Sequence, residues 1–307
     1  MKNLVLVAAL GAALSFADTS FVDSDSGIFG PKYSEILKKI ETWKADYSEI
    51  STVIDYGKSI KGRTLRLLLV MKPGNFSYRP TFLMSGSTHG NEYLAIEDRL
   101  PEELLKKSGG PSAVRSFLDK GGVFIFIPIL NPDGYDDRKR ENAHGTDLNR
   151  DWDVPSAAYK GFKEVETKAL ADKLASLQQI YGLTFKVTVD YHCCIGALLY
   201  PWSYTEKPIP QAALTKHQAI GKMAKDALAI ESGTTPVILG YKALGTTKDY
   251  YYDKYRALGF TYEGIYSKEK NNLPQHVAWW ETMIQGAADG ALELPPLFKE
   301  DVFLSNL

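Results

Sequence analysis

The stretch VFIFIPIL, residues 123–130, contains no charged or hydrogen-bonding side chain. A strand with one face in solvent alternates apolar and polar residues, whereas a strand covered on both faces is apolar throughout. Residues 123–130 therefore predict a central strand of a sheet that carries helices on both faces.

Strand and helix patterns alternate on either side of this stretch. Short β-rich runs predict further strands at 81–85, 185–191 and 260–263, and an antiparallel hairpin at 51–56 and 64–70. Apolar residues at helical spacing predict helices at 33–47, 92–107, 162–181, 212–231 and 276–292. The alternation predicts one α/β domain with a mixed, mainly parallel central sheet and helices on both faces. The loop at 131–155 is long enough to predict a functional role.

The composition excludes several classes of protein. The chain has 307 residues, of which 44% are hydrophobic and 24% charged, and its formal net charge is -1. This balance is typical of a globular protein that can bury a sizeable core. Because charges of both signs are interspersed, nothing indicates a nucleic-acid partner.

The first seventeen residues follow the pattern of a secretory signal peptide. Lys2 precedes an apolar run from Leu4 to Leu14, and Ser15-Phe16-Ala17 offers a small-x-small cleavage site. We expect cleavage after Ala17, which leaves residues 18–307 as a secreted or periplasmic domain. The apolar run is shorter than the roughly 20 residues that cross a bilayer, so we expect no membrane span.

The only two cysteines are the neighbours Cys193 and Cys194, at the end of the predicted strand 185–191. Neighbouring side chains of a strand point to opposite faces, so we expect neither thiol to bind a metal. Two buried free thiols are the expected state, and a disulfide between neighbours is the alternative.

The stretch SGSTHGNE, residues 85–92, continues the strand at 81–85 into a turn that contains His89 and Glu92. The strand at 185–191 leads directly into His192. Two imidazoles and one carboxylate, without a thiolate, are typical of a catalytic zinc site whose fourth position is open to water.

Further motifs follow in a fixed order: NPDGY at 131–135, TDLNRDW at 146–152 and YHCCIGALLYPW at 191–202. With the HxxE of His89 and Glu92, this order resembles the zinc metallocarboxypeptidase family, the relatives of carboxypeptidases A and B. The resemblance extends from about residue 33 to the C-terminal helix. It implies a hydrolase that removes C-terminal residues from peptides or proteins with one Zn²⁺ ion as cofactor.

The resemblance also implies roles for individual residues. His89, Glu92 and His192 match the metal ligands, and Asp147 matches a carboxylate that accepts the outer N–H of the first histidine. Glu263, in FTYE at 260–263, matches the general base that activates water.

Four more positions match groups that act on the substrate. Asn149 and Arg150 match the pair that holds the terminal carboxylate, and Tyr241 matches a tyrosine that closes over bound substrate. Arg140 matches the stabiliser of the oxyanion, with Arg138 as the alternative.

Lys248 matches the residue at the base of the pocket for the terminal side chain. Because a lysine there complements a negative charge, the resemblance predicts a preference for acidic terminal residues. Two alternatives stay open: an enzyme that trims peptides of the bacterial cell wall with the same metal site, and an inactive relative that binds peptide ends.

Overall fold

The computed structural model describes residues 21–23, 27–155, 159–265 and 272–294. The expected signal peptide and the domain boundary at residue 18 lie outside these ranges. The chain divides between Pro31 and Lys32 into two compact units. In the first unit, strands β1 (Phe21–Asp23) and β2 (Gly27–Phe29) form an antiparallel pair.

The second unit is built on an eight-stranded sheet. In chain order its strands are β3 (Ser51–Lys58), β4 (Thr64–Met71), β5 (Arg79–Gly86), β6 (Val123–Ile127), β7 (Leu183–Cys193), β8 (Ala197–Tyr200), β9 (Glu231–Thr234) and β10 (Leu258–Gly264). Their order across the sheet is β3-β4-β6-β5-β7-β10-β8-β9. The four central strands β6, β5, β7 and β10 run parallel, whereas β3, β4 and β8 introduce antiparallel pairs. The predicted mixed, mainly parallel sheet is confirmed.

The described helices cover both faces of this sheet. They are α1 (Tyr33–Asp46), α2 (Leu100–Lys107), α3 (Ala113–Asp119), α4 (Pro132–Asp137), α5 (Val165–Tyr181), α6 (Gln211–Leu228), α7 (Thr235–Leu239), α8 (Thr247–Tyr255) and α9 (Leu273–Ala288). In the described ranges, none is both long and apolar enough to cross a bilayer.

The two sides of the neighbouring strands β5 and β6 are each covered by helices. Leu83 and Ile125 belong to a core cluster that includes residues of α5 and α8. Their neighbour Phe82 contacts Phe117 of α3 and Trp280 of α9. Every residue of β6 is buried, as VFIFIPIL predicts for a strand between two layers of helices.

The predicted helix at 92–107 is wrong over its first half, because only Leu100–Lys107 is helical. The buried carboxylate of Glu97 accepts the backbone N–H groups of Leu94 and Ile96, at 3.0 and 3.1 Å. These bonds hold the preceding segment in turns. Pro101 lies in the first turn of α2, where a proline is tolerated.

The expectation of two buried free thiols is also wrong, since Cys193 and Cys194 form a disulfide. Strand β7 ends at Cys193, so Cys194 lies in the following turn and the strand alternation no longer separates the two side chains. Cys193 is partly exposed and Cys194 exposed.

Candidate functional site

The candidate site lies where the carboxyl ends of three parallel strands meet. His89 and Glu92 follow β5, His192 lies near the end of β7, and Glu263 lies near the end of β10. His192 and Glu263 are direct neighbours in the pairing of β7 with β10. Ligands of open α/β sheets commonly bind at this edge.

A glycine between the two local ligands allows the loop after β5 to pack closely. A Cβ on Gly90 would lie 2.0 Å from the carbonyl carbon of Gly134 in α4. The N–H of Gly90 donates to the carbonyl of Arg140 at 3.2 Å. The glycine in HGNE thus brings His89 and Glu92 against the loop that carries Arg140.

Three donor atoms converge at the centre of the site. Glu92 Oε2 lies 2.9 Å from His89 Nδ1 and 3.0 Å from His192 Nδ1, and the two Nδ1 atoms are 3.0 Å apart. Tetrahedral ligands of zinc lie about 3.3 Å apart at ordinary bond lengths. All three residues are buried, and their spacing fits a single ion of this size.

The outer nitrogen of each imidazole contacts a carboxylate. His89 Nε2 lies 3.0 Å from Asp147 Oδ1, and His192 Nε2 lies 2.7 Å from Asp190 Oδ2. In the tautomer that leaves both Nδ1 lone pairs to a cation, each Nε2 carries the proton and donates it to its carboxylate. The lone pairs of the two Nδ1 atoms and the Glu92 carboxylate then face one another, and a cation between them stabilises this arrangement.

Asp190 is a residue that the sequence analysis missed. It is fully buried and accepts hydrogen bonds from the hydroxyls of Ser85, Thr88 and Thr247, at 2.7 to 3.0 Å. Burial by itself raises the pKa of Asp190, but the hydrogen bonds from His192, Ser85 and Thr247 hold it below its ordinary value. The pattern Asp-x-His was a usable signal, because residues two apart on a strand share a face.

An open pocket is lined by His89 and Glu92 at the candidate metal site. Eight of the ten predicted site residues line it: His89, Glu92, Arg140, Asn149, Arg150, Tyr241, Lys248 and Glu263. The other two, Asp147 and His192, contact this lining through His89.

Arg140 lies beside the metal donors. Its guanidinium donates to Glu92 Oε1 at 3.1 Å and to Asp147 Oδ2 at 2.8 Å, while 38% of its side chain stays exposed. Arg138 ends α4 in the left-handed conformation and is not among the described residues that line the pocket. This placement favours Arg140 as the cation for a developing oxyanion.

Asn149 and Arg150 lie on a short 3-10 turn, Leu148–Arg150, that Asp147 caps by accepting the N–H of Asn149 at 2.8 Å. The backbone N–H of Thr247 donates to Asn149 Oδ1 at 3.0 Å. The amide oxygen is thereby occupied, which leaves the amide N–H groups for a ligand. Beside them, the Arg150 guanidinium adds further donors.

Glu263 is 8% exposed, and its Oε2 has no hydrogen-bond partner among the described residues. Burial, assisted by the charge of Glu92, raises the pKa of Glu263 above its ordinary value. A carboxylate of this kind is suited to take and return a proton.

Lys248 is 2% exposed, so its ammonium does not point to solvent. Its Nζ donates to Ser203 Oγ at 2.6 Å and to Thr235 Oγ1 at 3.0 Å. Burial lowers the pKa of Lys248. Tyr241 lies at the pocket with half of its surface exposed.

Comparison with known proteins places this geometry in a family. The sequence model of the zinc carboxypeptidase family matches residues 36–280. Carboxypeptidase B of Astacus astacus is 28% identical over a 204-residue alignment, and the match covers 56% of this chain and 64% of that protein. Carboxypeptidase A4 of Mus musculus is 25% identical over a 276-residue alignment, and the match covers 78% of this chain and 63% of that protein. The chain thus spans less than two thirds of the length of these relatives.

The fold is similar to solved carboxypeptidase structures. The crystal structure of carboxypeptidase A from Helicoverpa armigera superposes with a TM-score of 0.66 at 21% identity, covering 85% of this chain and 73% of that one. At this identity the likeness concerns the fold, and it agrees with the mixed sheet described above.

Proposed function

The chain belongs to the zinc carboxypeptidase family, and we propose that it hydrolyses the C-terminal peptide bond of peptides or proteins. One observation carries the proposal: His89 and Glu92, two of the three candidate metal ligands, line the same pocket as Asn149 and Arg150, whose N–H groups can bind a free carboxylate. An enzyme that cuts the last peptide bond needs both within one residue's length of each other.

Glu263 is the proposed general base. Zinc, when held by His89, Glu92 and His192, supplies Lewis-acid chemistry that polarises a carbonyl and makes a water more acidic. Glu263 takes a proton from the attacking water and returns it to the leaving amine. Arg140 donates to the oxygen on which negative charge develops.

The terminal carboxylate of the substrate is assigned to Asn149 and Arg150. A guanidinium presents a planar fork of donors to a carboxylate, and the adjacent amide adds another N–H. Tyr241, half-exposed at the pocket, is the residue we propose to close over the bound terminus.

A preference for acidic terminal residues rests on the charge of Lys248. An ammonium has three N–H donors, and two of them are bound to hydroxyls. Among the described residues, no carboxylate lies within 4.0 Å of its Nζ. A buried cation without a counter-charge is costly, and the side-chain carboxylate of a terminal Glu or Asp would supply one.

A panel of peptides that differ only in their last residue tests this preference. We expect the wild type to cleave a Glu-terminated peptide faster than its Gln, Phe and Lys counterparts. In Lys248→Met the advantage of Glu over Gln should disappear, because these two residues differ in charge and hardly in shape. Fastest cleavage of the Lys-terminated peptide contradicts the pocket assignment. Cell-wall peptides, assayed beside the panel, test the alternative substrate class.

Glu263→Gln tests the catalytic proposal. We expect turnover to fall by roughly 10²- to 10⁴-fold, the usual contribution of a general base, while zinc content by metal analysis is unchanged. Glu41→Gln, an exposed position on α1, is the matched control and should keep full activity. Equal turnover in Glu263→Gln and the wild type removes Glu263 from the role of base. A wild type that binds peptides without cleaving them supports the inactive relative instead.

Export is the proposed route of the chain, since residues 1–17 follow the signal-peptide pattern. Expression in a secreting host followed by N-terminal sequencing tests it. The expected first residue is Asp18, and an intracellular product that retains Met1 contradicts export.

A further inference from the structure

Two opposite charges lie buried side by side at the start of α8 without pairing. Lys248 is 2% exposed and Asp249 is fully buried. Neighbouring residues of a helix do not face each other, and in the described part of the chain no carboxylate lies within ion-pairing distance of Lys248 Nζ. Buried charges ordinarily pair, so some other group must satisfy each of them.

Ser203 lies between the two charges. Its hydroxyl accepts from Lys248 Nζ at 2.6 Å, and its Oγ lies 3.2 Å from Asp249 Oδ1. Its backbone N–H donates to Asp249 Oδ2 at 2.8 Å. The hydroxyl of Thr246 lies 2.9 Å from the same Oγ. Ser203 is itself fully buried. Its backbone N–H and its hydroxyl bind the Asp249 carboxylate, and because Ser203 is uncharged it leaves the charge of Lys248 unneutralised.

Thr235 holds the ammonium from a second direction. Its Oγ1 accepts from Lys248 Nζ at 3.0 Å and lies 3.3 Å from Ser203 Oγ. Both Thr235 and Lys248 line the pocket. Two of the three ammonium donors are therefore fixed by neutral groups, and the third is left for a molecule in the pocket.

We propose that Ser203 and Thr235 are positioning residues that set the specificity for the terminal residue. They hold the Lys248 ammonium in the pocket, apart from Asp249, so that its charge is available to the side-chain carboxylate of a terminal Glu or Asp. Without the two hydroxyls the ammonium moves toward Asp249, and a direct ion pair within the protein replaces the one with the substrate. This inference rests on the proposed function, and it names the residues that make the lysine selective.

The test compares peptides that end in Glu and Gln, which have nearly the same shape. In Ser203→Ala and Thr235→Val, we expect the Glu-to-Gln ratio of kcat/KM to fall by about tenfold or more, as for a lost charge-assisted hydrogen bond. Thr235→Ser keeps the hydroxyl and should keep the ratio. Thr215→Val, an exposed position on α6, is the matched control and should not change it.

Inhibition by free glutamate and free glutamine gives a second readout that does not depend on cleavage of a bond. Glutamate should lose its advantage as an inhibitor in Ser203→Ala and Thr235→Val. If Ser203→Ala does not fold, Thr235→Val against Thr235→Ser decides the matter.

Two outcomes separate this inference from the proposed function. If the Glu-to-Gln ratio of kcat/KM falls in Lys248→Met but is unchanged in Ser203→Ala and Thr235→Val, only the positioning role is overturned. A ratio that is unchanged in Lys248→Met overturns the acidic preference itself.

Discussion

Each histidine at the centre of the pocket donates its outer N–H to a carboxylate, yet the two carboxylates differ in setting. Asp147 has 21% of its side chain exposed and also binds Arg140, whereas Asp190 is buried and surrounded by hydroxyls. The charge of Asp190 makes His192 a more basic ligand and fixes its tautomer. Asp190 is therefore expected to matter for the affinity of the metal rather than for substrate binding.

Replacement of Asp190 by Asn tests this role. We expect Asp190→Asn to lower zinc affinity by about 10- to 100-fold, the usual effect of losing such a partner, as measured by competition with a chelator. Asp172→Asn, an exposed position on α5, should bind zinc as the wild type does. Equal zinc affinity in Asp190→Asn and the wild type contradicts the assignment.

At the scale of elements, a buried asparagine, Asn142, anchors the loop between α4 and the 3-10 turn. Asn142 is 4% exposed, and its amide donates to Glu164 Oε2 at 2.7 Å. Its Oδ1 accepts the backbone N–H groups of His144 and Thr146, each at 3.0 Å. Arg140 and Asp147 lie in the same loop, and Asn149 and Arg150 lie on the 3-10 turn that follows it. Asn142 thus positions four site residues without lying in the pocket lining.

Asn142→Ala should loosen this loop. We expect kcat/KM to fall by about 100-fold, because small displacements of positioning groups are costly in catalysis. Stability should fall by only about 1–3 kcal/mol, the usual cost of unpaired buried polar groups. Peptide kinetics and urea unfolding of the same samples measure the two effects. Gln218→Ala, exposed on α6, controls for both, and unchanged kinetics in Asn142→Ala contradict the positioning role.

The loop and α8 also differ in how far their roles could be predicted from sequence. The length of the loop and its DLNRDW motif singled it out. In α8 the sequence singled out only Lys248, by its position relative to the motifs around it. Thr247 was not predicted, although it contacts both Asn149 and Asp190. Those contacts join residues 98 and 57 positions apart, and no local pattern encodes them.

At the scale of the whole molecule, one buried histidine couples the fold to pH. His217 of α6 is fully buried among the rings of Tyr200, Tyr252 and Phe260. Burial lowers its pKa to about 4. Since the unfolded chain binds a proton near pH 6.5, the unfolded state gains protons first as the pH falls. The contribution of His217 to stability is therefore complete above pH 6.5 and declines toward pH 4.

Replacement of His217 by Leu should weaken this dependence. Between pH 7 and pH 4, the wild type should lose about 3 kcal/mol more of its unfolding free energy than His217→Leu does. Urea unfolding of both proteins at the two pH values measures the difference, and contributions of all other groups cancel in it. Parallel pH curves for the two proteins contradict a depressed pKa of His217.

By itself, the sequence determined the α/β class, the central strands and the family, and it predicted His89, Glu92 and His192, which lie together as a group that could hold a metal ion. These follow from local signals: runs of apolar residues long enough to be strands covered on both faces, and short motifs whose ligands lie three residues apart or at a strand end. The roles of Glu263, Arg140, Asn149, Arg150, Tyr241, Lys248 and Asp147 remain predictions, although the structure brings these residues together.

Only the tertiary structure decided which neighbours act on those residues. Asp190 meets Thr247, and Lys248 meets Ser203 and Thr235, because the ends of strands and helices that are distant in sequence converge at one edge of the sheet. The disulfide between Cys193 and Cys194 likewise depends on where β7 ends. The contacts of Asp190 with Thr247 and of Lys248 with Ser203 and Thr235 arise from the packing of several elements together, so they have no signature in any one segment.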